Sequence, residues 1–397
     1  MARVIGAEHI EAARASGRQR LEVLPGDIVT DLARDSAARL GIALVDGPLE
    51  RPVFARTDGN TAMRRALTRR APRWVAPRLG QAREPRRLRK LALVGAGGGG
   101  GTVAHLTANA DLAAEIALSD VAPGLAEATS LDLMHAAGIT RSACRVTGSQ
   151  DLADVAGADV VVVTAGRPRT PGMSRTDLIG VNARVIRAAA EAIRTQAPEA
   201  IVIVVTNPLD EMTTEMLRAT GFPRERVLGM AGTLDSSRFR VSLAQAAGVD
   251  PADVQAITFG SHGDEMAPIP SQSTIKGRPL EVFLTQEVIE ACVRDAVTGG
   301  GEVVALKKTG SATLAPAHAT MELIDHIRGA RAGWVPCSVL LQGEYGIRDV
   351  VLGVPCHLGA KGLIEVEELR LTDAERASLN AAADAIRARL AGGGANL

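Results

Sequence analysis

The run Gly95-Ala-Gly-Gly-Gly-Gly100 lies between an apolar stretch, Leu91-Ala-Leu-Val94, and a helical pattern from Thr102 to Asn109. No other feature restricts the fold as strongly. Leu91–Val94 has the length and composition of a buried strand. In a chain with 41 glycines a Gly-x-Gly-x-x-Gly alone says little. Placed between strand and helix, it lets the backbone turn tightly and brings an anion to the helix N-terminus, where unpaired N–H groups and the positive dipole end point outward. Ile116-Ala-Leu118 then leads to Asp120, 20 residues after Gly100. A carboxylate at that distance completes a dinucleotide fingerprint, in which it binds the adenosine ribose hydroxyls. Asp120 selects NAD over NADP, because it repels a ribose phosphate and the following Val121-Ala122 offers no arginine. Without a ligand the same residues would form a tight strand–helix turn.

Further along, Asp159-Val-Val-Val-Val-Thr164 and Ile201-Val-Ile-Val-Val205 read as buried parallel strands, separated by a helix from about Asn182 to Gln196. This alternation predicts an α/β fold with a Rossmann-type doubly wound parallel sheet. Beyond Gly232 mixed helices and shorter strands predict an α+β substrate domain, closed by an amphipathic helix over Ala374–Leu390. The expected domains are a nucleotide-binding domain at 89–232 and a substrate domain at 233–391. Hydrophobic residues make up 46% and charged residues 23%, ordinary for a globular protein. No apolar run is long enough to span a bilayer and the N-terminus lacks a signal-peptide core. Cys144, Cys292, Cys337 and Cys356 share no metal-ligand or redox spacing, so they read as buried thiols in a reducing cytoplasm, with no metal expected.

Residues 1–47 carry a miniature α/β pattern, expected as an appendage. A helix runs from Ala7 to Ser16, Leu21–Leu24 is strand-like, Pro25-Gly26 turns the chain, and Thr30 or Asp31 caps a helix that stops at Gly41 before Ile42–Val45. Residues 48–88 are rich in Arg and Pro, with one short amphipathic helix expected over Asn60–Arg70. Residues 51–90 hold twelve Arg and one Lys against Asp58 and Glu84, a local excess of +11 in a chain of net charge zero. The chain has 40 Arg and only 5 Lys, and aromatic stacking residues are nearly absent from this stretch. It therefore reads as a solvated linker rather than a nucleic-acid-binding arm.

Chemistry gathers where the predicted strands end. Arg167-Pro-Arg-Thr-Pro-Gly-Met-Ser-Arg175 follows the first valine strand and puts Arg169 and Arg175 six residues apart on a loop stiffened by two prolines. Two guanidinium groups on a loop that can close suit a small dianion, because each can bind a carboxylate bidentately. Thr206-Asn207-Pro208 follows the next strand. Asp235-Ser-Ser-Arg238 places an acid and a base on one helical face, a spacing that alone reads as a surface ion pair. In Phe259-Gly-Ser-His-Gly263 the histidine, His262, sits between glycines at the end of the strand-like Val254–Phe259, a glycine-flanked setting none of the other six histidines shares. Hydride chemistry joins these residues. Oxidising an alcohol requires a base near neutrality, which His262 supplies. Asp235 would hold the imidazole, Arg238 would clamp the carboxylate beside the reacting carbon, and Asn207 would donate to the reacting oxygen. Arg169 and Arg175 would close over the site and exclude water.

Residues 89–391 resemble the lactate/malate dehydrogenase family, most of all its bacterial NAD-dependent malate dehydrogenases. The resemblance rests on Val163–Arg175, Val204-Val-Thr-Asn-Pro-Leu-Asp210, Gly229–Arg240, Gly260-Ser-His-Gly-Asp264, Lys308-Thr-Gly-Ser-Ala312 and Tyr345–Pro355, which occur in family order. It implies that His262 is the proton acceptor with Asp235 as its partner, and that Arg169 and Arg238 bind the two substrate carboxylates, with Arg175 and Asn207 completing the substrate site. It also implies cofactor contacts at Gly95, Ala96, Gly97, Gly98, Gly99, Gly100, Asp120, Asn182, Val205, Thr206 and Asn207. A homo-oligomer of two or four subunits and a place in the tricarboxylic acid cycle follow from the same resemblance. One departure is the run Gly97–Gly101, where the family has larger residues; extra glycine raises the entropy cost of ordering the loop and so bears on cofactor affinity. Residues 1–88 lie outside the family. Within them Pro25–Ile42 resembles a short segment of bacterial microcompartment enzymes, including ethanolamine-utilisation cobalamin adenosyltransferases, which points to a protein partner or a compartment shell. Two other readings stand beside malate dehydrogenase: a dehydrogenase for lactate or another 2-hydroxy acid, and an assembly component docked through residues 1–88. Arg169 counts against lactate, which would leave a buried guanidinium unpaired.

Overall fold

A computed structural model describes residues 4–23, 27–46, 85–167, 175–263, 265–308 and 310–393. The expected turn at Pro25-Gly26, the helix over Asn60–Arg70, Arg169 and the side chain of Arg175 lie outside these residues. The chain divides into two units, Met1–Ala82 and Arg83–Leu397.

The first unit repeats a strand–helix–strand pattern: β1 (Val4–Ile5), α1 (Ala7–Ala15), β2 (Arg20–Val23), then β3 (Ile28–Val29), α2 (Asp31–Leu40), β4 (Ala43–Asp46). The halves interlock, since β1 pairs in parallel with β3 and β2 with β4. Thr30 caps α2 by accepting the Ala33 N–H at 3.2 Å, and Gly41 ends it at φ +68°, in the left-handed region where Cβ-bearing residues are strained. Ile5, Ile10, Ala33, Ala37 and Ile42 form its small core.

The second unit opens with β5 (Leu88–Val94), α3 (Gly98–Asn109), β6 (Ala113–Ser119), α4 (Leu125–Thr140), β7 (Arg145–Ser149) and β8 (Val160–Val163). There follow α5 (Arg175–Gln196), β9 (Ile201–Val204), α6 (Leu209–Thr220), β10 (Val227–Gly229) and α7 (Gly232–Ala247). The parallel strands run β10-β9-β8-β5-β6-β7, so the order reverses between β5 and β8. Successive residues of these strands feed opposite faces. Leu91, Leu93, Ile116, Val160 and Ile203 join one core, while Ala92, Val94, Val161, Val163 and Val202 join the other. Burial on both faces explains the unbroken valine runs, each such side chain contributing about 1.5–3 kcal/mol.

The rest comprises β11 (Val254–Gln255), β12 (Thr258–Gly260), β13 (Met266–Pro268), β14 (Thr274–Ile275) and β15 (Arg278–Pro279), then α8 (Gln286–Lys307) and α9 (Leu314–Ile327). A long hairpin, β16 (Trp334–Gln342) and β17 (Arg348–Gly359), precedes β18 (Gly362–Val366) and α10 (Asp373–Gly393). β16 pairs antiparallel with β10, so the second half extends the first into one 11-stranded sheet.

Several boundaries differ from those the sequence predicts. β5 begins at Leu88, pinned by the Leu88 N–H donating to Leu112 O at 2.9 Å, so the last residues of the Arg-rich stretch belong to the sheet. α5 begins at Arg175 rather than Asn182, its polar start, Arg175-Thr-Asp177, and Gly180 having masked the periodicity. α3 begins within the glycines, at Gly98, where packing sets the backbone despite poor helix propensity. The expected strand over Val254–Phe259 splits: β11 joins β14 in a small sheet and β12 joins the main one.

Candidate active site

At the carboxyl end of β5 the chain turns at Gly95, φ +108°, where a Cβ would stand 2.6 Å from Ala165 N. At Gly100 a Cβ would stand 1.8 Å from Gly95 O, so the first turn of α3 lies directly on the turn that precedes it. A Cβ on Gly97 would meet nothing within 4 Å, so there is open space before the helix N-terminus. The Asp120 carboxylate crosses this turn, accepting the Ala96 N–H at 2.7 Å and the Ala122 N–H at 2.9 Å. Each oxygen keeps a lone pair for a ribose hydroxyl. A groove of about 400 Å³ opens beside it, lined by Ala96, Gly97, Thr102, Leu125 and Leu314 among others. An open helix N-terminus with a fixed acid beside it fits a dinucleotide.

Two further residues expected at the cofactor brace the neighbouring strand ends. Thr206 is buried and donates to Ala165 O at 2.6 Å. Asn182, only 1% exposed, accepts the Arg167 N–H and donates to Arg167 O and Asn207 O. Its amide is thereby spent on backbone, tying the stem of the arginine loop to the end of β9 beside Val205. The Asn207 side chain is exposed.

The polar cluster sits where α7 meets the loop after β12. Asp235 lies in the first turn of α7, 2% exposed, and its Oδ2 meets His262 Nδ1 at 2.9 Å. Its Oδ1 accepts from Arg238 Nη1 at 2.9 Å, one helical turn on. Arg238 therefore splits its fork, bonding Asp235 with one nitrogen and lying against α8, where a Cβ on Gly300 would be 3.1 Å from its guanidinium. Burial alone would lower the His262 pKa, but the Asp235 charge and hydrogen bond outweigh it and raise it above the ordinary value of 6.5. The His262 side chain remains 17% exposed, enough for its other ring nitrogen to face a ligand. A base held in one tautomer by a buried acid, beside an arginine, can take a proton from a hydroxyl whose neighbouring carboxylate the arginine holds.

Sequence reasoning missed the residues behind this cluster. Asp210, on α6 and 1% exposed, accepts the His262 backbone N–H at 2.9 Å and the Ser338 hydroxyl at 2.8 Å. Burial, and next the adjacent Glu211, push its pKa up to about 6. A signal was present: Asp210, Glu211 and Glu215 occupy a helix that buries almost every residue, so each must have a partner. Those partners lie far along the chain and no local pattern names them. Among the described residues no group of three or more His, Cys, Asp or Glu side chains could hold a metal ion, and no helix is long and apolar enough to cross a membrane.

Residues 89–229 match the lactate/malate dehydrogenase NAD binding domain, and 232–396 match the lactate/malate dehydrogenase alpha/beta C-terminal domain. The chain is 43% identical over 302 residues to a malate dehydrogenase of Roseiflexus sp. (strain RS-1), a match covering 76% of this chain and 97% of that one. It is 45% identical over 301 residues to a malate dehydrogenase of Trichormus variabilis, covering 76% and 93%. The Cryptosporidium parvum malate dehydrogenase structure shares the fold at TM-score 0.75 and 36% identity, covering 77% of this chain and 99% of that one. A C. parvum lactate dehydrogenase, complexed with lactic acid and NAD, gives TM-score 0.75 and 36% identity over 78% and 98%. Through both of its domains the chain belongs to the lactate/malate dehydrogenase family.

Proposed function

We propose that the protein is an NAD-dependent malate dehydrogenase interconverting (S)-malate and oxaloacetate. The observation that carries this is the Asp235–His262–Arg238 triangle beside a glycine turn open to a dinucleotide. NAD, when bound, supplies the hydride acceptor. His262 takes the hydroxyl proton of malate on the nitrogen opposite Asp235, and Asp235 stabilises the imidazolium that results. Arg238 uses the guanidinium edge left free by Asp235 for the carboxylate next to the reacting carbon. Arg169 takes the second carboxylate, Arg175 and Asn207 complete the substrate site, and Asp120 holds the adenosine ribose. Asn182, Val205 and Thr206 form the cofactor's floor through the backbone they brace.

A lactate dehydrogenase shares the fold to the same TM-score as a malate dehydrogenase, so architecture does not choose between substrates. Arg169 does, by chemistry: oxaloacetate has a second carboxylate to pair with it and pyruvate has none. The reading extends to a homo-oligomer, supported by Leu131, Met134 and Ile139 exposed along α4, and to cytoplasmic service in the tricarboxylic acid cycle. The test is NADH oxidation against oxaloacetate and pyruvate in parallel. Oxaloacetate is expected to be preferred by about two to four orders of magnitude in kcat/KM. Arg169→Gln should erase most of that preference without changing NADH affinity. Preference for pyruvate in the unaltered enzyme would replace malate by the broader 2-hydroxy-acid class.

A further inference from the structure

Arg389, near the end of α10, reaches back to the loop that carries His262. All three guanidinium nitrogens are engaged: Nε with Glu211 Oε1 at 2.5 Å, Nη1 with Glu265 Oε1 at 2.9 Å, and Nη2 with Ser261 Oγ at 3.1 Å. Ser261 and Glu265 stand on either side of His262. Glu211 follows Asp210, which holds the His262 backbone N–H. The same helix meets the loop again at its entrance, where a Cβ on Gly260 would stand 3.3 Å from Ala382 Cβ. The terminal helix thus touches the loop before, beside and beyond the histidine.

The electrostatics make this grip specific. Glu211 and Glu265 converge on one cation whose field also reaches Asp210, and the Arg389 and Glu211 side chains are only 17% and 2% exposed. A buried carboxylate that loses its cation must protonate or move, and the loop is the part free to move. Displacing a reacting group by about 1 Å costs on the order of 100-fold in rate. We propose that Arg389 is a positioning residue for proton transfer, holding Ser261 and Glu265 so that the His262 ring stays within reach of Asp235. The proposal rests on the assignment of His262 as the proton acceptor.

Arg387 provides the control. It bonds Asp384 Oδ1 and Arg348 O, each at 2.8 Å, and so anchors the same helix without touching the loop. The experiment compares Arg389→Met, Arg389→Lys and Arg387→Met in the full chain, with active protein counted by NADH-binding stoichiometry. Per binding site, Arg389→Met should lower kcat for oxaloacetate about 100-fold and Arg389→Lys, a point charge without the planar fork, about tenfold, with KM for NADH unchanged. Arg387→Met should lower Tm and leave kcat alone. The His262 imidazole resonance, titrated without substrate, gives a second readout. The groups facing this ring are Asp235 and Arg238 from α7 and Asp210 from α6, so its midpoint should fall in Arg389→Met as the ring leaves Asp235. Wild-type kcat per site in the Arg389 variants, or an unmoved midpoint, would overturn the proposal. Should Arg389→Met fail to bind NADH, Arg389→Lys decides the matter. If the unaltered enzyme fails to reduce oxaloacetate, the functional reading falls and the imidazole midpoint still judges Arg389.

Discussion

The two units of this chain are opposites in how structure relates to chemistry. In residues 4–46 every element is local: two helices with their own caps, four short strands, and a core of five fully buried apolar side chains. Among the described residues there, Ser36 is buried singly and no cluster of polar side chains is buried. In the larger unit the elements are equally regular, but the bonds linking Asp210–Glu211, Asp235, His262 and Arg389 draw on four separate segments, with Arg389 and its partner Glu211 178 residues apart. Regular local structure is therefore no guide to where reactivity lies. Reactivity follows buried charge, and buried charge needs a core large enough to hold it.

The sharpest break of this contrast is His262→Ala. It should reduce hydride-transfer turnover by about four orders of magnitude at unchanged NADH binding, since the group handles the proton and general acid–base catalysis supplies 10²–10⁴-fold. Stopped-flow reduction of oxaloacetate measures it, and a variant keeping a tenth of normal turnover would remove the histidine from the mechanism. Next in size is pH. Because Asp235 raises the His262 pKa above 6.5, kcat/KM for malate oxidation, which needs the neutral ring, should climb about tenfold per pH unit below that midpoint and level off above it. Oxaloacetate reduction needs the protonated ring and should decline above the midpoint. Stability has the sign of reduction: the pair's contribution is full below the unfolded value of about 6.5 and is lost as pH rises through the folded midpoint. Asp235→Asn should move the kinetic midpoint below 6.5, burial and the Arg238 charge then outweighing the weaker pull of Asp210.

Ile10→Ala asks about the small unit. Truncating a fully buried isoleucine costs about 2–5 kcal/mol, comparable to all that so small a core can supply. Residues 4–46 should lose amide protection while malate turnover is unchanged; a parallel loss of turnover would mean that the units act together. The smallest effect lies in the glycine run. No atom within 4 Å opposes a Cβ on Gly99, so Gly99→Ala should stabilise the enzyme by about 0.5–1 kcal/mol, read as a rise in Tm. The same change at Gly100 should abolish cofactor binding.

Much of this was legible in the sequence for physical reasons. Strands buried on both faces need unbroken apolar runs, so β5, β8 and β9 announce themselves. Thr30 and Gly41 mark the ends of α2 because orphan N–H groups and left-handed residues have few solutions. His262, Asp235 and Arg238 stood out through chemistry rather than pattern. The start of α5 did not, since its three polar leading residues and Gly180 blur the period, and neither did Asp210 or Arg389, whose meaning depends on what the fold brings beside them.

The direction of β5 has a consequence for the chain that precedes it. Its carboxyl end enters the cofactor turn, while its amino end is fastened on the far side of the sheet, where the Arg86 N–H donates to Arg328 O at 2.8 Å and Leu88 is locked to Leu112. Seven strand residues place that entry roughly 20 Å from the glycine turn. The chain upstream of Arg86 thus enters the sheet at the amino end of β5. Both fastenings use residues from Arg86 onward, so a change in length or sequence upstream of Arg86 leaves the anchoring of β5, and with it the entry to the glycine turn, intact.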